Sequence, residues 1–269
     1  MRIITDPDEA RHVLEPWRAK HARPAWRPVT ELGEGPVAGS RFGGRPALRE
    51  GKVWPTCAEC GNPQTLFLQL DLDTLPPEAG DFGGGLLQFF YCANETGDED
   101  GAGHERWMPF SSGHLFRRIP AGVALSRPQL PDDGVYLTPR RLVAWDQTWF
   151  AVDEGDAPEF VDAEGLGLSL RDGRIVWVEQ RIMFDAHYGD HFGEWVFGKT
   201  ARGDKLGGWP HWPQTNANWI GCPRCGERMR LLMQIDSEDN VDFMFGDGGC
   251  GHVMQCPKHF DQFGFEWID

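Results

Sequence analysis

Seven cysteines and nine histidines carry most of the chemistry available to this 269-residue chain. Four of the cysteines form two Cys-x-x-Cys-Gly knuckles, Cys57-Ala58-Glu59-Cys60-Gly61 and Cys222-Pro223-Arg224-Cys225-Gly226. Such a turn offers two sulfurs from one tight loop, and its glycine lets the backbone curl. The arrangement suits a zinc ion, which takes about four thiolate or imidazole ligands in a tetrahedron. In the second knuckle the other two ligands are at hand in Cys256-Pro257-Lys258-His259, so Cys222, Cys225, Cys256 and His259 have zinc-ribbon spacing. The first offers Cys57, Cys60 and Cys92. The position matching His259 is Glu95, and His104 lies nine residues further on. Either would complete the set, and a rival arrangement pools both knuckles into one four-cysteine site. The expectation is structural zinc, one or two ions. Buried hydrophobic thiols are the plain alternative. Redox dithiols lack the βαβ setting of a thioredoxin. Cys250 has no counterpart in the first half, where position 86 is Leu; it reads as a core thiol with His252 as a spare ligand.

Catalytic signatures are missing. The sequence has no Gly-x-Ser-x-Gly elbow, phosphate loop or dinucleotide fingerprint. Gly83-Gly84-Gly85 and Gly246-Asp247-Gly248-Gly249 lack the Lys-Ser/Thr of a nucleotide loop and read as turns. His187 and His191, with Asp185 and Asp190 beside them, lack the glutamate of a His-Glu-x-x-His site, and Gly189 disfavours the helix that would align them. Were the protein an enzyme with a cleft between two halves, Asp71, Asp236, Gln69, Gln234, His187 and His191 would be its candidates.

The elements that position the knuckles recur. Gly39-Ser40-Arg41-Phe42-Gly43-Gly44-Arg45-Pro46 corresponds to Gly203-Asp204-Lys205-Leu206-Gly207-Gly208-Trp209-Pro210. The strand Leu66-Phe67-Leu68-Gln69-Leu70-Asp71 corresponds to Leu231-Leu232-Met233-Gln234-Ile235-Asp236, and Cys57 to Asp71 maps on the second copy at a constant offset of 165. A Gly-rich turn and a further strand ending at Cys92 or Cys256 follow in each. Ordered self-similarity of this kind is a fold-level signal. The fold class it predicts is mainly β (α+β): duplicated antiparallel units packed with pseudo-twofold symmetry, with few short helices. The expected organisation is an N-terminal helix and wrapping segment (1–38), a first repeat (39–106), a connecting β-rich region (107–200) and a second repeat (203–269). Gln69 and Gln234, inside apolar strands, are expected to bond backbone groups of the other half. Asp71 and Asp236 are expected to cap turns.

Net charge is −15. The first 60 residues hold 10 basic and 8 acidic side chains, so the rest of the chain carries the whole deficit. Such a field repels a phosphate backbone and favours a basic partner, which makes nucleic acid the last choice. No run approaches the roughly 18 apolar residues of a membrane span, and the N-terminus lacks a secretion signal's apolar core. The expected compartment is the cytoplasm, where thiols stay reduced.

Residues 203–210, Leu-Leu-Met-Gln-Ile-Asp-Ser at 231–237, Gly-Asp-Gly-Gly at 246–249 and Cys-Pro-Lys-His at 256–259 resemble the bacterial YwqG-like family, a family of unknown function. The likeness covers about residues 39–269. Gly43–Pro46, Cys57–Gly61 and Leu66–Leu70 are more distantly similar to the programmed cell death protein 2 family, whose members chaperone a ribosomal protein. Zinc is not implied by the YwqG-like resemblance and rests on the spacing above. The combined expectation is a non-enzymatic zinc scaffold that binds a protein or basic peptide, chaperone-like or immunity-like in role.

Overall fold

The structure is a computed structural model that describes residues 22–94, 105–150, 202–213 and 219–269, together with His12 and the backbone of short strands at 2–4, 160–161, 168–171, 174–177 and 182–184. The expected helix opening at Asp6 and the His187/His191 pair lie outside the described residues. Among the described residues seventeen strands run along the chain. The first nine are β1 (Arg2–Ile4), β2 (Arg23–Leu32), β3 (Arg41–Phe42), β4 (Leu48–Arg49), β5 (Thr65–Asp71), β6 (Leu86–Tyr91), β7 (His114–Ile119), β8 (Leu125–Ser126) and β9 (Arg140–Phe150). After them come β10 (Phe160–Val161), β11 (Leu168–Arg171), β12 (Arg174–Trp177), β13 (Ile182–Phe184), β14 (Lys205–Gly207), β15 (Arg230–Asp236), β16 (Cys250–Gln255) and β17 (Phe263–Ile268). The chain is mainly β. Two single 3-10 turns, Leu72–Thr74 and Pro77–Ala79, link β5 to β6.

Ten strands make one antiparallel sheet in the order β17-β16-β15-β14-β2-β9-β3-β5-β6-β7. The order reads alike from both ends. β3 opposes β5 through Arg41↔Gln69, as β14 opposes β15 through Lys205↔Gln234. A bulge interrupts β5–β6 between Leu66 and Leu68, and another interrupts β15–β16 between Leu231 and Met233. The central pair crosses over. β2 precedes the first knuckle yet pairs with β14, and β9 precedes the second knuckle yet pairs with β3.

Residues 23–32, expected to wrap the surface, therefore sit mid-sheet. Pro24 and Pro28 disguise the strand, because each removes a ladder donor. The loss is tolerable since β14 is short and pairs only with Ala25 and Trp26. The fourth strand on the first side, β7, falls beyond the expected boundary at residue 106.

The sheet curls until β7 and β17 face each other without a shared ladder. Phe116 stacks on Phe263 across this seam, ring centroids 5.3 Å apart. One core fills the interior from both sides: Phe42, Phe67, Phe89 and Tyr91 meet Leu206, Met233, Phe245 and Phe265. Phe89 and Phe265 come within 4.5 Å, and Trp267 Nε1 donates to Tyr91 Oη. Apolar residues on alternate positions of opposed strands give each half a face that only the other half covers.

Gly43-Gly44 and Gly207-Gly208 all have left-handed φ, from 63° to 73°. Their surroundings differ. A Cβ at Gly43 would lie 2.9 Å from the Leu137 and Thr138 carbonyl oxygens, whereas one at Gly207 would meet nothing closer than 3.7 Å. Gly43→Ala is expected to cost about 2 kcal/mol more than Gly207→Ala, since only the first adds a clash to the shared φ penalty. Urea unfolding of the two variants checks this; equal costs would contradict it.

Candidate metal centres

Each knuckle is a turn closed by two backbone bonds. Gly61 N donates to Cys57 O and Cys57 N to Asn62 O; Gly226 N donates to Cys222 O and Cys222 N to Glu227 O. Gly61 and Gly226 take φ of 74° and 73°, which a side chain would resist. Just outside, Thr56 bridges Pro63 and Gly221 bridges Arg228.

β16 delivers Cys256 and the following turn delivers His259 beside the second knuckle. The four ligand atoms of Cys222, Cys225, Cys256 and His259 lie within 4.8 Å of one another. Cys225 Sγ is 3.7 Å from Cys256 Sγ, while His259 Nδ1 is 3.5 Å from Cys256 Sγ and 3.9 Å from Cys222 Sγ. Zinc–sulfur bonds of about 2.3 Å and zinc–nitrogen bonds of about 2.0 Å, at tetrahedral angles, set ligand edges of about 3.5–3.8 Å. The Cys225–Cys256 and Cys256–His259 edges fit that frame and the Cys222–His259 edge is slightly longer; the sulfur pair is far too long for a disulfide, which needs about 2.05 Å. The cysteines are free thiols. The amides of Lys258 and His259 point at Cys256 Sγ, 3.4 and 3.3 Å away, and would share a thiolate's charge.

β6 delivers Cys92 to the first knuckle in the same way. Cys57, Cys60 and Cys92 form the other compact group, with Cys60 Sγ 3.6 Å from Cys92 Sγ. Asn94 Nδ2 approaches Cys92 Sγ at 3.7 Å. Arg106 anchors the turn by donating to Cys92 O and Asn94 O. Glu95 and His104, the two expected fourth ligands, lie outside the described residues. Each knuckle gathers the cysteine at the end of its own neighbouring strand, so the pooled four-cysteine arrangement is not the one adopted.

One thiol of each knuckle, Cys222 and Cys60, is electrostatically prepared to ionise. Burial works to raise Cys222, but the amides of Arg224 and Cys225 and the thiols of Cys256 and Cys225 outweigh it and hold its pKa at about 6. Burial likewise opposes ionisation of Cys60, and the Asn62 amide, the Cys92 and Cys57 thiols and the Arg106 charge bring it below the usual value. Burial pushes Cys92 up to about 11; Asn94 works the other way, and the neighbouring Cys57 and Cys60 add to the rise. Sulfurs this close cannot all ionise alone, and a divalent cation removes that conflict.

Residues 40–117 and 125–267, most of the chain, match the family described as a domain of unknown function, DUF1963. The chain belongs to DUF1963. No curated protein matches it significantly. No helix among the described residues of this DUF1963 protein is long and apolar enough to cross a membrane.

The described catalytic candidates turn out to be fastenings. Asp71 Oδ1 accepts from Asp73 N and Asp236 Oδ1 from Glu238 N, the capping role expected. Gln69 donates to Val37 O and Gly39 O and accepts from Ala47 N. Gln234 donates to Gly203 O and accepts from His211 N. These partners are loops of each glutamine's own half, flanking the adjacent β3 and β14, and not the other half as expected. A cleft of about 420 Å³ is lined by Arg27, Arg202, His211, Asp236 and Asp239, among others. Two of its three carboxylates are engaged inward: Asp236 Oδ2 accepts from Gly203 N and Asp239 Oδ2 from Asp204 N, while Glu238 also lines the cleft. Cys250 Sγ and His252 Nε2 both meet His211 O, at 3.2 and 2.8 Å, so this pair fastens the 203–213 loop rather than joining the cluster.

Asp204 was not singled out from sequence. It is fully buried, and its carboxylate accepts from Asp236 N and from Asn240 N and Nδ2. The signal lay in the matching Ser40, whose Oγ accepts from Asp71 N. Burial, with the charge of Asp239 beside it, pushes the Asp204 carboxyl up to about 8. Burial pushes His252 down to about 3 and His211 to about 4, Lys205 adding repulsion to both.

The signs oppose. A free histidine titrates at about 6.5, so acidification below that protonates the unfolded chain first and costs about 1.4 kcal/mol per pH unit for each histidine. Asp204 binds its proton more tightly in the fold, so its contribution is full below about pH 4 and falls as pH rises to about 8. Two histidines outweigh one aspartate on the acid side, and thermal stability is expected to peak near pH 6.5. His252→Gln installs the residue of the matching position, Gln88, which donates to Ala47 O as His252 meets His211 O. That variant should flatten the acid limb in melting curves; unchanged acid sensitivity would contradict the assignment.

Proposed function

We propose that this DUF1963 protein is a non-enzymatic, zinc-stabilised scaffold of two duplicated β units that holds a protein or basic peptide partner. The carrying observation is the ligand geometry of the Cys222/Cys225/Cys256/His259 group, whose edges match a tetrahedral ion. Three thiols and an imidazole are a closed set that suits structural zinc and leaves no open position for substrate. The first group takes a second ion, with Glu95 or His104 as fourth ligand. Matched register, matched bulges and the exchange of β2 and β9 support duplication about a pseudo-twofold axis, consistent with the YwqG-like and programmed cell death protein 2 resemblances. Trp107, Met108 and Phe110, all exposed beside the first knuckle's loop, supply apolar contact area. The net charge of −15 supplies the preference for a basic partner.

Native pull-down at low salt is expected to recover one basic protein in stoichiometric amount, released as salt rises. Repeated recovery of none would remove the partner half of the proposal and leave the zinc half standing.

A further inference from the structure

Residues flanking the second cluster's ligands reach the other half. Gln255, immediately before Cys256, is fully buried, and its Nε2 donates to Phe82 O and Phe260 O, each at 3.0 Å. Phe260, immediately after His259, also accepts from Arg118 Nη1 of β7 at 3.3 Å. Arg118 is held in place by its Nε bond to Gly84 O at 2.8 Å. Arg230 of β15 lies 4.2 Å over the Phe82 ring and bonds Asp81 O and Gln255 Oε1. The turn between the ligands is closed by Gln262 N to His259 O and by Cys256 N to Gln262 O. Phe263 then stacks on Phe116 of β7. β7 and β17 share no ladder, so this junction joins the two edges of the sheet together with the Phe89–Phe265 contact and the Trp267–Tyr91 bond.

An ion bonded to both Cys256 Sγ and His259 Nδ1 fixes the backbone between them, and with it the Phe260 carbonyl that Arg118 and Gln255 must find. Without the ion, the two ligand side chains are tied to each other by weak sulfur contacts, and the turn rests on its two backbone bonds. We propose that the ion of the second cluster is a clasp for the seam: it orders the Cys256–Gln262 turn and thereby locks β7 and the 81–84 segment of the first half against the second. This rests on the zinc reading above. Coupling of this kind is reciprocal, so whatever the ion does for the seam, the seam does for the ion by the same factor. Arg118 and Gln255 are positioning residues; neither is a ligand.

The test uses the full zinc-loaded chain. Arg118→Met removes the Phe260 and Gly84 bonds without touching either cluster. Competition with a chromophoric chelator should then release one of the two ions about fivefold more readily or more, with the other unchanged. Arg118→Lys, which keeps a donor, should lie between the variant and the parent and serves if the methionine variant does not fold. In the parent protein, mild chelation should speed amide exchange across His114–Ile119 as well as in the knuckle. Unchanged ion release in the variants, or an exchange increase confined to 221–229 and 256–262, would overturn the clasp while leaving the zinc centre intact. A chain that takes up no zinc fails at the earlier reading, and the metal measurement itself reveals it.

Discussion

Cys222→Ser is expected to remove one zinc ion per chain and to cost on the order of 4 kcal/mol or more, because a structural ion's binding free energy is folding free energy. Cys222 is buried, and its sulfur belongs to the compact Cys222/Cys225/Cys256/His259 group. A serine there leaves Cys225, Cys256 and His259 short of a ligand at the knuckle that precedes β15. The control is Cys250→Ser, another buried thiol outside both clusters. It should keep both ions and cost about 1 kcal/mol or less, since a serine hydroxyl can still donate to His211 O. Metal content and urea unfolding of the pair separate ligand from core thiol. Equal losses in both, with no change in metal, would mean that Cys222 is only packing.

Arg41→Met is the second large effect expected, at about 3–5 kcal/mol with both ions retained. Arg41 is fully buried at the matching position to Lys205. Its guanidinium donates to Pro36 O, Val37 O, Gly39 O and Arg45 O and to Gln69 Oε1. Burial is the main influence on its pKa, which falls to about 10, with Arg127 adding repulsion and Glu34 opposing it. The 36–45 loop is thus wound around one cation. Methionine fills much of the volume but strands Arg45 O and strips one charged donor from Pro36 O, Val37 O and Gly39 O, which keep bonds from Gly39 N and Gln69 Nε2; a buried group without its partner costs its full desolvation. Denaturant midpoints with metal analysis check this. A loss below about 1 kcal/mol would show the loop to be held by other means.

What could be read in advance follows from distance along the chain. The knuckles, the glycines and the Gln69 and Gln234 strands recur at constant spacing, so local sequence revealed the cysteine groups and most of β5, β6, β15 and β16. Cys92 and Cys256 end matching strands, which is why they fell beside the right knuckles. The exchange of β2 and β9 had no local signature. Pairing partners far apart in sequence are chosen by the closure of the whole sheet, and the prolines of β2 argued for a loop. The burial of Lys205, His252 and Asp204 was likewise hidden. Polar residues become interior only when a distant segment folds over them, and their sequence neighbours do not announce it.

The most direct measurement is the metal content of protein purified without added metal. Two zinc ions per chain are predicted, one for each cysteine group. One ion would confine the centre to Cys222, Cys225, Cys256 and His259, and none would contradict the zinc scaffold outright.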